Sequence, residues 1–153
     1  SGELWRAPEV AQMLIGKDLH ALDDKGRLII PAKIRDDLGE VFIISPGLDQ
    51  CLFGYSLTQW EQVAKQIKEL STASVDRRAF ERMFYADAVE AELDKQGRVV
   101  IPQHLRDDAQ IERDVYVVGV SDKIELWSKE NWERYSGQAR ESYEAISKTD
   151  IRL

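Results

Sequence analysis

The sequence predicts a mainly β fold with flanking α-helices, built from two copies of one unit, and three observations carry that expectation. The first is an internal duplication. Asp23–Asp37 and Asp94–Asp108, set in register, are identical at eight of fifteen positions. Of the other seven, four are polar or small exchanges and three swap one aliphatic side chain for another, which chance does not readily produce. The second is the chemistry of each copy. A polar turn with a central glycine, Gly26 or Gly97, joins an incoming strand to an outgoing aliphatic one, because glycine reaches positive φ without steric cost. Pro31 or Pro102 follows, where the first turn of a helix accepts it. The third is that the likeness continues past the duplicated element: Val41-Phe42-Ile43-Ile44 matches Val115-Tyr116-Val117-Val118, Ser56 matches Ser128, and Trp60-Glu61 matches Trp132-Glu133.

In chain order, residues 1–12 have no counterpart before the second copy and read as an N-terminal extension or cloning remnant ahead of Met13. A first strand is expected from Leu14 to Leu22 and a second from Arg27 to Ile30. Pro31 opens a short helix with Ile34 and Leu38 on one face, and Gly39 is placed to cap it. Val41–Ser45 and Cys51–Tyr55 read as a hairpin around Pro46, Gly47 and Asp49. Ser56 and Gln59 resemble a capping box for a helix striped by Trp60, Val63, Ala64, Ile67 and Leu70. After a Ser71–Ser74 break, a helix over Val75–Tyr85 is expected to bury Ala79, Phe80, Met83 and Phe84.

The second unit repeats the plan. Val89, Ala91 and Leu93 alternate with Glu90 and Glu92 as in a half-exposed strand. The duplicated element, a helix over Gln103–Ala109 and strands at Val115–Val118 and Ile124–Trp127 come next. A last helix from Lys129 to about Ser147 carries Trp132, Tyr135, Ala139, Tyr143 and Ile146 on its apolar face. This divides the chain into a first repeat (13–59), a helical segment (60–85), a second repeat (86–131) and a C-terminal helix and tail (132–153). Four short strands seldom bury a core alone, so the two units are expected to pair around a pseudo-twofold axis, each completing the other's sheet.

With 43% hydrophobic and 32% charged residues, the 153-residue chain has a globular composition. No apolar run reaches the ~20 residues of a membrane helix. Arg6, Pro8 and Glu9 interrupt the first dozen residues, unlike a secretory signal. A single cysteine, Cys51, forbids an internal disulfide and suits a reducing, cytoplasmic compartment. The net charge of −7 argues against a non-specific nucleic-acid coat. It is unevenly spread. The window Lys17–Arg35 holds Lys17, Lys25, Arg27, Lys33 and Arg35 against Asp18, Asp23 and Asp24, a balance of +2. Glu92–Arg106 holds Lys95, Arg98 and Arg106 against Glu92 and Asp94, a balance of +1.

Arg27 and Arg98 each follow a turn glycine, with Lys25 or Lys95 beside them. Two readings stand for them. A β-ribbon can enter a groove of DNA, where arginine clamps phosphate or reads guanine through two hydrogen bonds. Alternatively each arginine pairs with Asp23 or Asp94 to tie down its turn, an exposed pair worth ~0–1 kcal/mol. The readings can coexist, with the aspartate orienting an arginine that touches DNA. Asp36/Asp37 and Asp107/Asp108 face water or cap turns, and no nucleophile, histidine or phosphate loop shares their register, so no enzyme is expected. His20 and His104 occupy unrelated positions, and with one cysteine no metal-ligand cluster is evident. No cofactor or small-molecule substrate is expected.

The doubled Asp-x-x-Gly-Arg-(aliphatic)₃-Pro element resembles the SpoVT-AbrB family, supported by Gly47–Tyr55 and Ile124–Trp127, and the resemblance runs from about Met13 to the last helix. It implies a pseudo-dimeric swapped-hairpin β-barrel built from both repeats, in a DNA-binding transcriptional regulator associated with the nucleoid. Two-repeat proteins of this kind stand at the head of the division and cell-wall gene cluster. They bind short tandem repeats of double-stranded promoter DNA and assemble into closed rings, octameric or larger. The family's Asp-x-x-x-Arg signature falls on Asp23 and Arg27, and on Asp94 and Arg98. Arg35 and Arg106 match a basic position on the following helix, while Asp36 and Asp107 stand where relatives are often basic too.

Overall fold

Strands of the two repeats are exchanged. The computed structural model describes residues 13–153, so the expectation about residues 1–12 lies outside the described residues. In the first repeat the elements are β1 (Leu14–Ala21), β2 (Arg27–Ile29), α1 (Ala32–Leu38), β3 (Val41–Pro46) and β4 (Leu52–Ser56). Helices α2 (Leu57–Glu69) and α3 (Val75–Ala86) follow. The second repeat supplies β5 (Val89–Glu92), β6 (Arg98–Val100), α4 (Gln103–Asp108), β7 (Asp114–Ser121), β8 (Ile124–Ser128) and α5 (Lys129–Thr149). Six strands form one antiparallel sheet in the order β1-β7-β8-β4-β3-β5, and β2 pairs with β6 in a separate two-stranded ribbon.

That order reads the same backwards once each strand is replaced by its repeat equivalent. A pseudo-twofold axis therefore passes between β4 and β8, where Phe53 faces Glu125. The expected mutual completion is thus observed: β1 pairs with β7 of the other repeat, and β5 with β3. Two expectations are corrected. The sheet does not close into a barrel, since β1 and β5 remain as edges. Nor do the strands flanking each glycine turn pair with each other. The turn closes locally, with Gly26 N–H donating to the Asp23 carbonyl at 3.0 Å and Asp23 N–H to Arg27 O at 3.0 Å. Beyond it β1 and β2 diverge into different sheets, because Leu28 of β2 is buried beside Val99 of the opposite repeat.

The repeat correspondence is also corrected by one residue. Ala21 pairs with Asp114 as its equivalent Glu92 pairs with Val41, so Val41 corresponds to Asp114 and Phe42 to Val115. Phe42 and Val115 are both fully buried. The Ser56–Ser128 match holds, and both serines cap helices by accepting from the backbone N–H three residues on, Gln59 at 3.2 Å and Asn131 at 3.0 Å.

Both faces of the sheet are covered. On one lie the ribbon, α1 and α4, contributing Leu28, Val99, Ile34, Leu38 and Leu105 to a core shared with Phe42, Ile44, Val115, Val117 and Leu126. Gly39 ends α1 at φ 90° as expected. On the other lie α2, α3 and α5, with Ile67 and Phe84 packed among Phe53, Tyr55 and Trp127, and with Trp60 and Trp132 at the margin. Burial on both sides explains why β3 is an unbroken apolar run instead of an alternating one. Helix α3 buries less than its periodicity predicted. Phe84 is buried, while Ala79, Phe80 and Met83 are exposed, because α3 meets the sheet at β3 and reaches α2 through Phe84 and Tyr85 on Trp60. Tyr135, Tyr143 and Ile146 on α5 are exposed as well. Among the described residues no helix is long and apolar enough to cross a membrane.

Candidate nucleic-acid interface

The ribbon's pairing decides which side chains share a face. Arg27 stands opposite Val100, Leu28 opposite Val99 and Ile29 opposite Arg98. Since side chains alternate across a strand, Leu28 and Val99 enter the core and Arg27, Ile29, Arg98 and Val100 share the outer face. The exchange of strands therefore brings together two arginines that stand far apart in sequence. Reciprocal hydrogen bonds lock the ribbon to both turns: Ile30 N–H donates to Gly97 O and Ile101 N–H to Gly26 O, each at 2.9 Å.

Each arginine is held by the aspartate four residues before it. Asp23 Oδ1 accepts from the backbone N–H of Lys25 and of Arg27, both at 2.9 Å, while Oδ2 accepts from Arg27 Nε at 2.6 Å. Asp94 repeats the arrangement with Gln96 N–H, Arg98 N–H and Arg98 Nε at 2.9, 2.9 and 2.8 Å. Arg98 Nη1 also lies 3.9 Å from Asp23 Oδ2, so the two turns share charge across the ribbon. The backbone N–H of Arg27, followed by the Arg27 side chain and Lys25 N–H, holds the Asp23 carboxyl down at about 2. The N–H of Arg98 leads the same effect at Asp94. An aspartate that stays charged at neutral pH thus fixes the Nε edge of each guanidinium, and the terminal Nη groups make no hydrogen bond to that aspartate. The pairing that ties each arginine to its turn aspartate is therefore observed.

The other sequence-predicted residues are less concentrated. Lys25 and Lys95 are exposed at the two turns, and Gly26 and Gly97 adopt φ of 73° and 76° there. Lys33 on α1 pairs with Asp18 at 3.4 Å, flanking the ribbon. Arg35 does not project into solvent. Its guanidinium lies against Gly97 of the opposite turn, as that of Arg106 lies against Gly26, and Arg106 Nε donates to Ile101 O at 2.8 Å. Lys17 is on the far side of the sheet, its ammonium 5.5 Å from the Tyr116 ring centre and 5.7 Å from that of Trp132. Alternation along β1 accounts for this, since Asp18 faces α1 and Lys17 must then face the helices. Sequence reasoning did not single out Ile29 and Val100, whose exposure depends on the β2–β6 pairing. Among the described residues no group of three or more His, Cys, Asp or Glu side chains could hold a metal ion.

Comparison with known proteins adds a family. The model described as "MraZ protein" matches this chain twice, over residues 13–83 and 84–153. A protein named transcriptional regulator MraZ from Caldanaerobacter subterraneus subsp. tengcongensis is 53% identical over 135 residues, 88% of this chain and 94% of its own. Its namesake from Acetivibrio thermocellus is 50% identical over the same shares. That from Pelotomaculum thermopropionicum is 46% identical over 141 residues, 92% of this chain and 97% of its own.

Proposed function

This chain belongs to the MraZ family, and from that premise we propose that it is a sequence-specific DNA-binding transcriptional regulator, not an enzyme, that reads promoter DNA with the outer face of the β2–β6 ribbon. The observation that carries the reading is the convergence of Arg27 and Arg98 on that face, each with its Nε edge fixed by its own aspartate. A guanidinium so oriented loses little freedom on binding and still offers two terminal nitrogens to a phosphate or a guanine. Lys25 and Lys95 at the turn tips would add phosphate contacts, with Lys33 at the flank. Arg35 would act by supporting the Gly97 turn, and Lys17 only through its longer-range field.

The targets of this reading are short tandem repeats in the promoter of the division and cell-wall gene cluster, met by a closed ring of eight or more copies in the cytoplasm, at the nucleoid. A subunit with so small a local excess of positive charge should bind one site weakly, and many copies facing spaced repeats gain by effective concentration. Exposed Phe80 and Met83 on α3 support assembly, since lone monomers rarely leave such residues together in water. They equally suit a ring that binds a protein partner and touches DNA incidentally.

The test is fluorescence anisotropy with duplex from upstream of the protein's own gene against a scrambled duplex, at low and moderate salt, for wild type and Arg27→Ala. Tighter binding of the upstream duplex, abolished by the substitution, is expected. Equal weak binding of both, unchanged by the substitution, would turn the assignment to the protein-binding ring.

A further inference from the structure

Besides the two arginines, the outer face of the ribbon presents one more pair of side chains. Ile29 and Val100 occupy equivalent positions of the two repeats and are 45% and 51% exposed, whereas Leu28 and Val99 behind them are 0% and 1% exposed. Because Arg27 faces Val100 and Ile29 faces Arg98, the four form a two-by-two block with guanidinium groups on one diagonal and β-branched aliphatics on the other. Exposed aliphatics scattered singly need no explanation. These are not scattered: both repeats direct one outward at the same position, beside an arginine already oriented by an aspartate.

The dimensions fit a groove. Two residues along a strand and one strand spacing across it give a block of roughly 7 by 5 Å. That covers about two steps of a duplex that rises ~3.4 Å per base pair, and a two-stranded ribbon fits a major groove ~12 Å wide. The edges of the bases there offer donors, acceptors and a single apolar group, the C5 methyl of thymine. An arginine whose Nε is occupied keeps the Nη groups for a guanine or a phosphate, and the neighbouring aliphatic then meets the adjacent base.

We propose that Ile29 and Val100 are specificity-determining residues that seat on thymine C5 methyl groups in the major groove, beside the bases or phosphates engaged by Arg98 and Arg27. This rests on the DNA-reading function proposed above and names part of what is read. Lost methyl contact weakens binding, because burying one such group against an aliphatic side chain is worth roughly a fourfold change in affinity.

The test uses the full chain. A preferred duplex is selected from a randomised pool with the wild-type protein, and its thymines are replaced one at a time by deoxyuridine, which removes only the methyl group. Affinities are then measured for wild type, Ile29→Ala, Val100→Ala and the conservative Ile29→Val and Val100→Ile. At one or more positions deoxyuridine is expected to weaken wild type roughly fourfold. The same replacement should cost nothing in the matching alanine variant and keep most of its cost in the conservative one. Deoxyuridine silent at every position, or equally costly in wild type and both alanine variants, overturns the proposal. If in that case Arg27→Ala still abolishes the preference for the selected duplex, the DNA-reading function stands and only the methyl contact falls. A pool that yields no preferred sequence overturns both.

Discussion

Arg35 lies against Gly97 of the opposite repeat, so closely that a Cβ built on the glycine would sit 2.6 Å from the guanidinium carbon. Arg106 stands in the same relation to Gly26, with the corresponding distance 3.0 Å. Each turn that positions a ribbon arginine is therefore supported by a second arginine from the other half of the chain. Neither repeat can build the interface alone, since both the ribbon partner and the turn support come from the other copy.

Gly97→Ala should destabilise the protein by about 2 kcal/mol. A non-glycine residue at positive φ costs ~1–2 kcal/mol by itself, and the overlap with Arg35 adds to it. Urea denaturation of Gly97→Ala, Arg35→Ala and the double variant checks this. The double variant should lose less than the two single losses together, because removing Arg35 relieves the overlap. Strict additivity would show that the arginine does not crowd the turn.

Acid should loosen the turns in a defined window. The Asp23 carboxyl is lowered from 3.8 to about 2, chiefly by the Arg27 backbone N–H. A depressed carboxylate contributes stability that is fully present above its unfolded-state value and lost as pH falls through the folded one. The loss at this site therefore falls between about pH 4 and pH 2, with Asp94 shifted in the same direction. Asp23→Asn keeps an oxygen for the backbone amides but has no proton to take up. Denaturation midpoints measured down this range should fall less steeply for Asp23→Asn than for wild type. Parallel slopes would remove Asp23 from the acid response.

The duplicated turn, the helix cap at Ser56 and the Gly39 terminus were legible in the sequence because turn and cap chemistry is local. Strand partners were not. Nothing in the composition of β2 says that it pairs with β6 and not with β1; that follows from where Leu28 and Val99 can be buried together. The slip that matched Val41 to Val115 has a related cause. Strands buried on both faces carry no alternation, so residue likeness alone leaves their register free by one. Hidden for the same reason were the far-side position of Lys17 and the outward position of Ile29 and Val100, and the packing of Arg35 was hidden because its glycine partner lies in the other repeat.

Phe80 and Phe84 provide a controlled comparison on α3. Their rings stack at 5.4 Å, but Phe80 is 45% exposed and Phe84 only 6%. Phe84 also packs on Trp60, with ring centres 5.1 Å apart. Phe84→Ala should cost ~3–5 kcal/mol in chemical denaturation, as for a buried aromatic. Phe80→Ala should cost less than about 1 kcal/mol, as for a surface site. Similar losses at the two positions would mean that Phe80 is covered in solution, which light scattering on the same samples would register as a larger assembly than the Phe80→Ala variant forms.

The two ribbon arginines should not contribute equally to DNA binding. Over the window from Lys17 the first repeat has the larger positive balance, with Lys25 and Lys33 where the second has Gln96 and His104, although Asp24 stands where the second has Lys95. Arg98 also leans towards a second aspartate, Asp23, which offsets part of its charge. Arg27→Ala is expected to weaken the preferred duplex by roughly 10- to 100-fold, the range for losing a bidentate base contact, and Arg98→Ala by less. Titrations at several salt concentrations separate the two ways an arginine can act. Loss of a phosphate contact lowers the slope of log K against log salt by about 0.9 and leaves discrimination intact, whereas loss of a base contact leaves the slope and removes discrimination. Equal losses from the two substitutions would mean that the ribbon is read symmetrically, with the surrounding charge of no consequence.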